Sequence, residues 1–242
     1  MDIDTNDPIS KMEAELFITG RAQFEYPIPY KSEGGYLRDL QQGAMGDKLK
    51  ALRAIIHTYR GKNAFTGGYT RESAEGAAAI FNKFASGPEL SEAASRELFL
   101  EGSVCENCGD YEGATWFFEA SLHFENPDKE FCYYRLNNLA FNLLCLNKFK
   151  EAEVYLEKAI KLMPKRYNSW KNAGVAMEHQ GKIEEAAKAY MFAINYSNAE
   201  KRSLKHLLRL IARHPELRQK EEITGYLDSL AKAGVIDKTG RA

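Results

Sequence analysis

The two charge signs almost cancel in this 242-residue sequence, with 33 Lys and Arg against 34 Asp and Glu. Without a basic excess, a general nucleic-acid-binding surface is excluded. No apolar run approaches the ~18 residues a membrane helix needs; the best, Leu139–Leu146, is interrupted by Asn142, so no membrane insertion is expected. The acidic opening Met1–Pro8 has no apolar core and reads as no secretory leader, which leads to an expected cytoplasmic location. Four cysteines in a chain of this length make no disulfide framework. There is no phosphate loop, dinucleotide fingerprint or nucleophile elbow, and the five histidines fall into no metal-binding spacing. The glycine-rich Phe65–Tyr69 lacks a phosphate-loop lysine in register. Catalytic residues, metal and cofactor are therefore all expected to be none, and the protein is read as no enzyme.

What the chain does contain is a repeat. Ala152 and Ala186 lie 34 residues apart in matching surroundings. The later copy reads Trp170, Ala173, Gly174, Met177, Gly181, Ala186, Tyr190, Ala193, and the earlier one Leu136, Leu139, Ala140, Leu143, Ala152, Leu156, Ala159, Pro164. A third copy upstream reads Leu98, Gly102, Cys105, Gly109, Tyr111, Ala114, Phe118, Ser121, Pro127. Its offset is 38, and Asn126–Phe131 can hold the extra residues in a longer turn. Within each copy, apolar residues recur at i, i+3, i+4 and i+7, the mark of one buried helix face. Small residues stand where paired helices approach closely, and Cys108–Tyr111 and Gln180–Ile183 turn one helix back on the next. A single hairpin cannot bury its apolar face, so stacked pairs are required.

These positions resemble the tetratricopeptide repeat family over roughly residues 95–198. The departures are Glu101 for Leu, Cys105 and Met177 for an aromatic, and Asn198 for Pro. The resemblance implies an all-α, right-handed α-solenoid of stacked antiparallel helix pairs. With the flanks read from their own apolar spacing, the chain is expected to divide into an N-terminal segment 1–46, a degenerate repeat-like pair 47–94, three repeats (95–128, 133–166, 167–200) and C-terminal capping helices 201–242. In the first segment Asp7-Pro8 can open a short helix, and Tyr26–Tyr30 favours extended backbone. In the cap, Leu204, Leu207, Leu208 and Ile211 mark one buried face, and Leu217, Ile223, Leu227, Leu230 and Ala231 a second.

In the family, the first helix of each repeat lines a concave groove that contacts peptides. Carried onto this sequence, that implies partner-binding positions Phe99, Tyr134, Asn137, Asn138, Phe141, Leu144, Lys171, Asn172, Arg202, Lys205 and Arg209. The middle of the set is apolar and aromatic, and its far end is basic. Phe141 and Leu144 stand out because Leu136, Leu139, Ala140 and Leu143 already supply a buried face. Asn138 and Asn172 can donate and accept together, as an extended backbone requires. Arginines such as Arg202 and Arg209 can pair with carboxylates. Asn172 and Arg202 match the family's carboxylate clamp, but Asn137 and Phe141 stand where it has lysine and asparagine.

The implied partner is a protein or peptide with an acidic stretch or C-terminal carboxylate, bound by a scaffold. Two alternatives remain: a homo-oligomer in which segment 1–46 occupies a groove, and a redox- or metal-responsive protein acting through Cys105 and Cys108. Against the second, the repeat register places Cys105 at a core position, where it behaves as a small hydrophobe.

Overall fold

In the computed structural model the described residues are 71–84, 87–197 and 201–236, with a few positions between 42 and 54. The expectations for segment 1–46 thus lie almost wholly outside the described residues, as does Asn198. The described residues are helical, with no strand among them. The helices are α1 (Arg71–Phe84), α2 (Pro88–Asn107), α3 (Tyr111–Leu122), α4 (Lys129–Cys145), α5 (Phe149–Leu162), α6 (Tyr167–His179), α7 (Ile183–Asn195), α8 (Lys201–Arg213) and α9 (Glu221–Lys232). A short 3-10 turn, Pro215–Gln219, precedes α9. The chain forms two compact units, Met1–Arg135 and Leu136–Ala242, with the boundary inside α4.

In the first unit α1 buries Ala74, Ala77, Ala78, Ile80 and Phe81. Small side chains at that spacing let a neighbouring helix come close. The α2–α3 hairpin is closed by Asp110, whose carboxylate accepts from the Gly113 amide at 2.9 Å and caps the first turn of α3. Gly102 on α2 faces the Phe118 ring so closely that an added Cβ would sit 2.8 Å from it. Glycine at 102 thereby permits a phenyl ring at 118, whose burial is worth about 2–3 kcal/mol. The longer turn lies at residues 123–128, earlier than the expected Asn126–Phe131, because α4 already begins at Lys129. There Asp128 Oδ1 accepts from the amides of Glu130 and Phe131 at 3.0 Å each and starts α4.

In the second unit Gly174 does for Tyr190 what Gly102 does for Phe118, with a hypothetical Cβ only 2.4 Å from the ring. At the equivalent pair the chain has Ala140 and Leu156, both fully buried. Where the opposing residue is a ring, the small residue is glycine; where it is leucine, a methyl fits.

The turns inside the three repeat hairpins, α2–α3, α4–α5 and α6–α7, share one device. Gly109, Asn147 and Gly181 have φ of 78°, 60° and 75°. The next amide closes a turn onto the helix before it: Asp110 to the Cys105 carbonyl at 2.9 Å, Lys148 to Leu143 at 2.8 Å, Lys182 to Met177 at 3.0 Å. This is the left-handed helix stop that glycine favours and asparagine tolerates.

The end of the second unit is a cap. α8 buries Leu204, Leu207, Leu210 and Ile211, which join Tyr190 and Met191 of α7 and Ile223, Leu227 and Leu230 of α9 in one core. Leu208, expected on the buried stripe, is only partly buried, and Leu210 is fully so. Leu217 enters the same core from the 3-10 turn rather than from a helix.

Candidate partner-binding face

Each first-helix position expected to meet a partner can now be placed. In the first unit Phe99 is not an open-face residue. Its ring packs 5.1 Å from Phe118 and 5.0 Å from Phe131, centroid to centroid. A phenyl ring is long enough to reach inward from the edge of the buried stripe. Tyr134 is exposed; its ring stands edge-on to Tyr133 and its hydroxyl donates to Glu130 Oε1 at 3.1 Å.

In the second unit the residues of α4, α6 and α8 form a row. At one end the carboxamide of Asn137 accepts from the Ser169 hydroxyl at 3.0 Å and from the Asn172 amide at 3.4 Å. All three side chains are buried, so this network ties α4 to α6 and is satisfied from within. Asn137 and Asn172, both expected among the partner-binding positions and Asn172 as a contact for a peptide backbone, are buried here and spend these bonds on each other and on Ser169. Leu144 is also buried, a second correction, because the apolar arc of α4 is wider than a single stripe. Phe141 is exposed, with 37% of it open to solvent. Asn138 and Lys171 are half-buried.

At the other end Arg202, Lys205, Arg209 and Arg213 are exposed on α8. Facing them from the last turn of α6 is Glu178. Its carboxylate lies 3.4 Å from Arg209 Nη2 and 3.4 Å from Arg213 Nη1, and accepts from the Tyr190 hydroxyl at 2.8 Å. His206 stacks on the Tyr190 ring at 5.2 Å, and its Nδ1 faces Arg209 Nη2 at 3.0 Å. Burial, reinforced by the bond to Glu178, pushes the Tyr190 hydroxyl far above the ordinary phenol range, so it stays a donor. The positive end is thus a cluster of cations around one set-back carboxylate. No local sequence signal joins Glu178 to these arginines, because the pairing spans 31 and 35 positions.

A second aromatic feature was missed. Phe192 and Tyr196, one turn apart on and just after α7, are exposed and stacked, and Trp170 lies 4.6 Å from Phe192. The signal was an apolar pair beside an already complete buried stripe of Ala186, Ala189, Tyr190 and Ala193.

Of the cysteines, Cys105 is buried as the repeat register required, whereas Cys108 is exposed. Among the described residues no three His, Cys, Asp or Glu side chains gather as a metal-binding group. Among the same residues no helix is long and apolar enough to cross a membrane.

No family model matches the chain, and no curated protein does. Solved structures do. MamA, residues 41 to the end, from Desulfovibrio magneticus RS-1 is 21% identical with a TM-score of 0.51, over 78% of this chain and 98% of that one. YrrB, described as a TPR protein with an unusual peptide-binding site, is 19% identical with a TM-score of 0.48, over 77% and 88%. PilF of Pseudomonas aeruginosa is 17% identical with a TM-score of 0.43, over 93% of each chain. The chain has the fold of the tetratricopeptide-repeat proteins, all-α with a C-terminal helical cap, as its repeat pattern implied.

Proposed function

We propose that this chain of tetratricopeptide fold is a non-catalytic interaction protein that holds an extended segment of a partner protein. The binding face is the row formed in the second unit by α4, α6 and α8. The carrying observation is the contrast along it: an exposed phenyl ring at Phe141, then the exposed cations Lys205, Arg209 and Arg213. An exposed aromatic on a helix whose buried arc is already complete favours an apolar contact. The cations favour an acidic stretch or a terminal carboxylate, with Arg209 able to present more than one N–H to it. Asn138 and Lys171 border the row, and Arg202 extends its basic end. Asn137, Asn172 and Leu144, all buried, support the face from behind.

The test uses a fluorescein-labelled peptide carrying Phe and Leu followed by four Glu, with an amidated C-terminus. Anisotropy is expected to show binding to the wild type and a loss of about tenfold or more in the Phe141→Ala/Arg209→Glu protein. Far-ultraviolet circular dichroism of the two proteins should coincide. Equal binding by both removes the face from the site. Binding by neither, with mass in light scattering that rises with concentration and falls on deleting residues 1–46, favours the self-assembling reading instead.

A further inference from the structure

We propose that Glu178 is a resident counter-ion of the basic face, an internal competitor that sets how strongly acidic segments bind there. The inference rests on the acidic-partner reading of α8 and adds to it the residue that limits affinity.

Three observations carry it. First, the carboxylate is shielded while its cations are not: the Glu178 side chain is 11% exposed, against 46% for Arg209 and 62% for Arg213. An incoming anion meets the arginines from solvent and cannot displace the glutamate into it.

Second, the bonds are unequal. The Tyr190 hydroxyl holds Glu178 at 2.8 Å, whereas both arginines stand at 3.4 Å, long for a charge-assisted contact, which is usually about 2.7–2.9 Å. Tyrosine, not arginine, therefore fixes the carboxylate. Exposed ion pairs of this kind add little to folding stability. Arg213 is thus held loosely enough to turn toward a ligand, Arg209 keeps N–H groups beyond the Nη2 that faces His206 at 3.0 Å, and Glu178 stays behind as a fixed negative charge.

Third, the competition is incomplete. A guanidinium carries five N–H donors, and Glu178 takes a single nitrogen of each arginine. With Arg202 and Lys205 on the same helix, the face keeps a positive excess. A ligand carrying several negative charges gains from that excess, and the set-back carboxylate opposes each of its charges.

The decisive variant is Glu178→Gln, which keeps the shape and leaves a carbonyl oxygen to accept from Tyr190. With the same four-Glu peptide, we expect binding about three- to tenfold tighter than wild type, with a steeper fall as salt rises. Glu178→Ala, which removes bulk as well as charge, should move affinity in the same direction. Adding Arg209→Ala to Glu178→Gln should erase most of the gain, because the charge removed was felt through that arginine. Equal or weaker binding by Glu178→Gln, in a background where Arg209→Glu does abolish binding, overturns the counter-ion role and leaves the face standing. Absence of binding to wild type and both Glu178 variants overturns the acidic-partner reading and the counter-ion with it.

Discussion

The two ends of the row in the second unit are built from the same kinds of reach, side chain to side chain between first helices, yet they do opposite work. At the Asn137 end the groups are neutral, buried and satisfied by one another, so their bonds fix how α4 sits against α6. At the Glu178 end the groups are charged and the cations are exposed, so their bonds add little to stability and, in the function proposed above, leave capacity for a ligand. Burial decides which role a polar contact plays. A buried acceptor left without its donor is costly, whereas an exposed cation left without its anion returns to water.

The strongest way to break this contrast is Asn137→Leu. It removes the acceptor of two buried donors, and we expect a loss of about 2–3 kcal/mol in urea unfolding with an unchanged slope. Ser169→Ala removes one donor and leaves Asn137 bonded to Asn172, so the loss should fall to about 1 kcal/mol. At the opposite end Arg213→Ala should change stability by no more than about 0.5 kcal/mol. A large loss there, or a negligible one at Asn137, would reverse the assignment of the two ends.

Most of the fold was legible because helix pairing is written in local spacing. The stripe through Leu136, Leu139, Ala140 and Leu143, and its counterparts around Gly102 and Gly174, needed only the helical period. The turn at Asn147 was overlooked because asparagine there lacks the glycine that announces Gly109 and Gly181, although Asn147-Lys148-Phe149 parallels Gly181-Lys182-Ile183.

The site was less legible, for a geometric reason. A period shows which side of a helix is buried but not how wide the buried arc is. Phe99 and Leu144 stand at the margins of their arcs, and each is turned inward by what it packs against or by the width of the arc. Phe141, farther round, remained outside. The basic stripe of α8 could be read from its sequence, but the carboxylate facing it could not, because no local rule joins Glu178 to Arg209. Asparagines 137 and 172 looked like peptide contacts for the same reason, since their true partners are each other and Ser169.

The pairing of glycine with a ring, and of alanine with leucine, means that the hairpins of this chain are not interchangeable parts. A first helix bearing Ala140 could not close on a second helix bearing Tyr190, for the methyl group would occupy space the ring needs. One bearing Gly102 would close on Leu156 but leave a hole where Phe118 belongs. The Ala140–Leu156 hairpin is thereby given a different key from the two glycine–ring hairpins, so a helix can tell one kind of mate from the other by fit alone, before any partner arrives.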